Sequence, residues 1–185
     1  MIASFFMTIS LALGLATSAM NTTPTEPTPG LVAPAAKNLY DFSLKTLDGQ
    51  ALNLSQYKGK KVLLVNVASE CGYTPQYGNL QKLHEKYGNK VVIIGVPANN
   101  FGGQEPGDSK KIKTFCTKNY GVTFMMAEKI SVKGADADPL YKWLAEKTEA
   151  PSWNFCKYLI NEKGEVVKFY KSSVDPLSDE ITKAL

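Results

Sequence analysis

Two stretches of the chain are apolar at nearly every position. They are Val62-Leu63-Leu64-Val65-Asn66-Val67 and Val91-Val92-Ile93-Ile94-Gly95-Val96. Each has the length of a strand and the unbroken apolar character of one buried on both faces. Between them Tyr77, Leu80, His84 and Tyr87 recur at helical spacing. Thr74-Pro75 ahead of this pattern predicts an N-cap followed by proline at the first helical position, and Gly88 ends it. Strand, helix and strand at this spacing predict a parallel βαβ unit.

The flanking pattern extends the picture. Tyr40, Phe42 and Leu44 alternate with polar residues, and Asp48-Gly49 predicts the turn of a short hairpin. After the second strand, Ala98 to Gly107 is rich in Asn and Gly and reads as a loop. A helix is expected over Ser109–Tyr120, with Ile112, Phe115 and Cys116 on one face and Gly121 past its end. A shorter helix is expected over Pro139–Lys147, packing Leu140, Trp143 and Leu144. Strands at Tyr158–Ile160 and Val166–Tyr170 flank the turn Glu162-Lys163-Gly164, and a last helix is expected over Leu177–Leu185. The class is α/β. A central mixed sheet flanked by helices, with an N-terminal β-hairpin, is the thioredoxin plan.

The first residues follow a different rule. Residues 2–15 are predominantly apolar and uncharged, and Ala16-Thr17-Ser18-Ala19 follows. This suits the apolar region and cleavage site of a secretory signal peptide over residues 1–19, and it is short for a transmembrane span. The expected location is periplasmic or secreted, with a membrane anchor formed by an uncleaved segment as the alternative. Residues 20–37 are rich in Pro and Thr and predict a flexible linker. The folded domain is expected over residues 38–185. Its net charge of +4 comes mostly from scattered lysines interleaved with acids, which argues against a nucleic-acid footprint.

The chemistry centres on cysteine. The chain has three, Cys71, Cys116 and Cys156, and an odd number in an exported protein implies at least one free or reactive thiol. Their spacing fits no zinc pattern, so no metal and no cofactor is expected. The single histidine, His84, reads as a part-buried residue of its helix. Cys71 lies just past the end of the first buried strand and ahead of a helix, where functional groups gather in α/β sheets. A thiol there feels the positive end of the helix dipole, which favours thiolate. Three residues on stands Thr74, where a dithiol oxidoreductase would carry a second cysteine. That removes vicinal dithiol exchange. It leaves a lone thiolate suited to attack on a peroxide O–O bond, with a sulfenic acid as product.

Four ordered segments carry a resemblance to a known family. They are Asn66-Val67-Ala68-Ser69-Glu70-Cys71-Gly72-Tyr73-Thr74, Pro97 to Gly107, Phe115-Cys116-Thr117 and Trp153-Asn154-Phe155. The chain resembles the glutathione peroxidases over nearly the whole expected domain. The resemblance implies that Cys71 is the peroxidatic residue, and that Gln104, Trp153 and Asn154 complete a catalytic tetrad whose neutral groups donate hydrogen bonds. It implies that Cys116 is the resolving cysteine of the thioredoxin-dependent branch, with Cys156 as a second candidate. It further implies hydrogen peroxide and organic or lipid hydroperoxides as substrates, in a response to oxidative stress. The reductant would be a thioredoxin-like protein or glutathione, and the assembly a monomer or weak dimer. Ala98, Asn100 and Met125 depart from the residues common in the family. Two other functions begin from the same thiol: a redox sensor or relay, and an exported thiol–disulfide oxidoreductase.

Overall fold

The computed structural model describes Met1 and residues 38–185. The expected signal peptide and the linker fall outside the described residues. The elements in order are β1 (Ser43–Lys45), β2 (Ala51–Asn53), β3 (Lys61–Val67), α1 (Gln76–Tyr87), β4 (Val91–Pro97), α2 (Ser109–Tyr120), β5 (Met125–Met126), α3 (Pro139–Lys147), β6 (Lys157–Ile160), β7 (Val166–Tyr170) and α4 (Asp179–Thr182).

Alternation along the buried strands decides where the core lies. Successive side chains of a strand point to opposite faces. Leu63, Val65 and Val67 of β3, with Val91 and Ile93 of β4, join Tyr77, Leu80 and Leu83 of α1 and Ile112 and Cys116 of α2. Val62 and Leu64, with Ile94 and Val96, join Leu140, Tyr141, Trp143 and Leu144 of α3 on the other face, together with Leu44 and Leu52 of the hairpin. The continuous apolar runs therefore serve two half-cores at once.

The sheet order is β5-β4-β3-β6-β7. β3 pairs parallel with β4, and β4 with β5; β6 is antiparallel to both β3 and β7. The expected parallel βαβ unit and the mixed sheet are both present. β1 and β2 form a separate hairpin, tied to the rest through the Thr46–Ala127 bridge.

Several local expectations are corrected. Leu39–Asp41 forms a 3-10 turn rather than the start of a strand, because the Asn38 side chain and Asp41 cap each other reciprocally. The chain between β1 and β2 spans residues 46–50, with Gly49 at φ +77°, so Asp48-Gly49 is part of a longer connection. Thr74 does not cap α1: Pro75 occupies that position, and the Thr74 hydroxyl is used elsewhere. β5 escaped the sequence pattern because two residues carry no periodicity. The expected terminal helix shrinks to one turn, because the Asp175 carboxylate accepts the Leu177 N–H at 2.7 Å and holds residues 175–178 in a turn.

Leu64 has no exposed surface and sits at the centre of the second half-core. Leu64→Ala is expected to lower unfolding free energy by about 2–5 kcal/mol. Urea denaturation should show an earlier midpoint with an unchanged slope, and a loss below about 1 kcal/mol would contradict this account of the core.

Candidate active site

β3 delivers the chain to Cys71 through a loop that Thr74 closes. The Thr74 hydroxyl accepts the Cys71 N–H at 2.9 Å and donates to the Ala68 carbonyl at 2.9 Å. The Thr74 N–H donates to the Cys71 carbonyl at 2.9 Å. The residue in the place of a second cysteine is thus the residue that shapes the loop. Cys71 is 8% exposed, and the Tyr73 N–H points to its sulfur at 3.4 Å. Regular α1 starts only at Gln76, so the helix dipole acts weakly across the intervening turn.

A second segment comes from the approach to β6. Asn66, buried in β3, holds it at three points. Its side chain donates to the Trp153 carbonyl at 2.9 Å, its carbonyl accepts the Phe155 N–H at 2.5 Å, and its N–H donates to the Cys156 carbonyl at 3.2 Å. Phe155 is forced to φ +65°, a left-handed conformation unfavourable for an aromatic residue by about 1–3 kcal/mol. Its ring is fully buried and meets Tyr77 edge-on, with centroids 5.5 Å apart. The bend leaves Asn154 fully buried, whereas Trp153 is 39% exposed and packs on Phe101 at 5.7 Å.

Gln104 joins the two segments. It lies after Gly102 and Gly103, both at positive φ, in the loop that follows β4. Its carbonyl accepts the Glu70 N–H at 3.0 Å, and its side-chain oxygen accepts the Asn154 amide at 2.9 Å. Cys71, Gln104, Trp153 and Asn154 are therefore gathered by three loops at one end of the sheet.

Cys116 belongs to the same apolar cluster as Cys71. It is 1% exposed on the inner face of α2, with the Tyr77 hydroxyl facing it. Burial pushes its thiol up to about 11, and the Glu105 carboxyl adds to the effect. Cys156 is fully buried, its sulfur 3.5 Å from the Ser172 hydroxyl. All three cysteines are free thiols. His84 is part-buried on α1, its ring 6.2 Å from that of Phe124. Among the described residues, no group of three or more His, Cys, Asp or Glu side chains is placed to hold a metal ion.

Sequence reasoning missed four residues that build this site. Asn66 was hidden inside an apolar run, although a polar residue in a doubly buried strand is itself a signal. Thr74, expected as the N-cap of α1, bonds the Cys71 N–H and the Ala68 carbonyl instead. Glu105 is fully buried, its N–H bound to the Asn99 side chain at 2.8 Å, and burial raises its carboxyl above the usual range. Lys157 is a fully buried cation at the start of β6.

Residues 39–145 match the glutathione peroxidase family model. The chain belongs to the glutathione peroxidase family. It is 45% identical over 159 residues to the glutathione peroxidase-like peroxiredoxin GPX5 of Chlamydomonas reinhardtii, covering 82% of this chain and 98% of that protein. It is 43% identical over 163 residues to the hydroperoxy fatty acid reductase gpx1 of Synechocystis, covering 82% and 95%. The crystal structure of Trgpx in its apo form superposes with a TM-score of 0.64 at 37% identity, covering 80% of this chain and 95% of that one. The fold is thioredoxin-like. As a glutathione peroxidase family member the protein is a peroxidase, an oxidoreductase that takes a hydroperoxide as oxidant and thiols as reductant.

Thr74→Val keeps the shape of the side chain and removes both hydroxyl bonds. It is expected to cost about 1–3 kcal/mol, since the Cys71 N–H and the Ala68 carbonyl lose their partner. Hydrogen exchange should report a faster-exchanging Cys71 amide, and unchanged protection there would refute the role given to Thr74.

Proposed function

We propose that Cys71 is the peroxidatic nucleophile of a thiol peroxidase that reduces hydrogen peroxide and organic or lipid hydroperoxides. The observation that carries this reading is the convergence of Gln104, Trp153 and Asn154 on the Cys71 loop, through the Glu70–Gln104 and Asn154–Gln104 hydrogen bonds. The Cys71 thiolate attacks the nearer peroxide oxygen, and the O–O bond breaks. The alkoxide or hydroxide leaves and takes up a proton, while Cys71 becomes a sulfenic acid. The Trp153 indole N–H and the side-chain amides of Gln104 and Asn154 supply neutral donors for the developing charge. No histidine is needed.

Cys116 completes the cycle in this reading. Its thiol attacks the Cys71 sulfur, water leaves, and a disulfide forms. A disulfide needs its Cα atoms within roughly 7 Å, and the Cys116 side chain is sealed in the core, so α2 unwinds locally to bring it over. The composition of α2 supports this. Lys110, Lys111, Lys113 and Lys118 are exposed along it, the helix itself holds no acid, and only Ile112 and Cys116 are buried. A dithiol reductant of the thioredoxin type, or glutathione, then restores both thiols. Export by the N-terminal segment is part of the proposal, and the intact mass of secreted protein tests cleavage near residue 19. Placement of Thr74 in the Cys71 loop argues against an exported dithiol–disulfide oxidoreductase.

Coupled NADPH consumption with a hydroperoxide and thioredoxin tests the cycle. Cys71→Ser should abolish it, and full residual activity would remove Cys71 from the mechanism. Cys116→Ser should lose thioredoxin-supported turnover while keeping the first oxidation of Cys71. Unchanged turnover would pass the resolving role to Cys156 or an external thiol.

The Cys116 thiol also makes stability depend on pH. Its folded value is raised from the ordinary 9.0 to about 11. The neutral thiol therefore favours the fold fully below pH 9, and the benefit is lost as pH rises toward 11. Between pH 9 and pH 11 the loss amounts to about 2 kcal/mol. Urea unfolding at pH 9 and pH 11 should show this extra loss in the wild type and not in Cys116→Ala. Equal slopes in the two proteins would contradict it.

A further inference from the structure

The peroxide chemistry above makes no use of Lys157, yet it is the one fully buried lysine described. Taking an ammonium out of water costs several kcal/mol unless its donors are satisfied. Its three N–H groups meet three neutral oxygens: Gln76 Oε1 at 2.6 Å, the Val174 carbonyl at 2.5 Å and the Ser172 carbonyl at 3.4 Å. Gln76 closes the ring by donating from Nε2 to the Ser172 carbonyl at 2.7 Å. One turn further along α1, Asn79 donates to the Asp175 carboxylate at 2.6 Å. The first turn of α1, the 172–175 segment and the start of β6 are thus fastened to one another around a single cation. Methionine has a similar volume and would be cheaper to bury, so stability alone is a weak reason for lysine here.

The place of the clamp in the chain gives it a use. The Cys71 loop runs directly into α1, whose first residue is Gln76. The Trp153–Cys156 turn runs directly into β6, whose first residue is Lys157. Asn66 fixes this turn against β3, but it does not touch α1. Beside the apolar Phe155–Tyr77 ring contact, the clamp is the polar link that joins the exit of the nucleophile's loop to the exit of the donor turn. We propose that Lys157 is a positioning residue for peroxide reduction, setting the distance between Cys71 and the Trp153–Asn154 donors by tying α1 to β6. The inference rests on the reading of Cys71 as nucleophile. Misplacement of reacting groups by about 1 Å can cost up to a hundredfold in rate.

The clamp is also sensitive to pH. Burial brings the Lys157 ammonium down to about 8, while Cys156 at the end of the donor turn and Asp175 on the C-terminal segment both act to keep the proton. α1 contributes the neutral Gln76, β3 the apolar Val65, and β7 the Tyr170 phenol across the sheet. Losing the proton replaces one donor by a lone pair that faces oxygen. The clamp therefore holds at neutral pH and loosens as pH passes through about 8.

Stopped-flow oxidation of the pre-reduced full chain by tert-butyl hydroperoxide, from pH 6.5 to 9.5, tests the proposal. Tryptophan fluorescence reports the first step, and melting curves are recorded for each protein. The wild-type rate is expected to fall above pH 8. Lys157→Met should be on the order of tenfold slower at neutral pH and should lack that fall. Gln76→Glu should move the fall to higher pH, because a carboxylate beside Nζ stabilises the ammonium, at the cost of the Nε2 bond to Ser172. A merely structural lysine would lower the melting temperature and leave the shape of the pH profile alone. The proposal is overturned if folded Lys157→Met keeps the wild-type rate and profile, or if Gln76→Glu leaves the alkaline fall in place. Should Lys157→Met fail to fold, Gln76→Glu decides by itself. A wild-type protein that oxidises no faster than Cys71→Ser would overturn both this inference and the reading beneath it.

Discussion

One buried asparagine holds the site to the fold. Asn66 belongs to β3, the strand that carries the chain to Cys71, and it grips the Trp153–Cys156 turn through its side chain, its carbonyl and its N–H. An amide in a doubly buried strand would destabilise the core unless it were paired. Here its NH2 group pairs with a backbone carbonyl that would otherwise be an orphan of an irregular turn, while its oxygen stays unpaired. The same three bonds hold Phe155 in its left-handed conformation, and that conformation keeps Asn154 inward while Trp153 stays open to solvent. Strand, turn and donors therefore form one rigid unit, to which Gln104 is added by a bond from each side.

The three thiols show how burial assigns different chemistry to the same side chain. Cys71 lies at the mouth of its loop with a backbone N–H directed to its sulfur. Cys116 is in the core, where desolvation holds its thiol protonated. Cys156 is sealed beside two serine hydroxyls. In the proposed cycle this separation has a purpose: a protonated, enclosed Cys116 does not compete for peroxide, and it reacts only when α2 opens. Opening α2 would also break the ion pair of Lys113 with Asp48, at 2.7 Å on an exposed surface, which is worth little.

Polar groups inside the protein form two tiers. The nearer tier contains neutral donors that need no proton change at working pH. Behind it lie Thr74 and Asn66, which bond the Cys71 loop and the Trp153–Cys156 turn, and the buried Glu105 and Lys157. The second tier contains the perturbed groups. Burial raises the Glu105 carboxyl and lowers the Lys157 ammonium, because desolvation outweighs the opposite charges nearby, Lys129 for the one and Asp175 for the other. A site whose hydrogen-bond donors do not titrate can still acquire pH dependence from buried charged groups behind them.

The amino-acid sequence by itself determined the two half-cores and the βαβ unit, because runs such as Val62–Val67 and Val91–Val96 leave few other ways to bury their side chains. It also determined the chemistry open to Cys71, since Thr74 in place of a second cysteine is a covalent fact that no folding can alter. The segments around Cys71, Gln104 and Trp153-Asn154 were legible as motifs, each adjacent to an element whose pattern was strong. The tertiary structure decided what those motifs are attached to. That Thr74 bonds Cys71 rather than capping α1, that Asn66 reaches across to residue 153, and that Lys157 joins β6 to α1 all depend on contacts between residues far apart in the chain or on loop geometry without periodicity. Hydrophobic patterning reports the solvent a residue avoids. It carries no record of the partner a buried polar group finds, and that partner fixes where Cys71 stands against its donors.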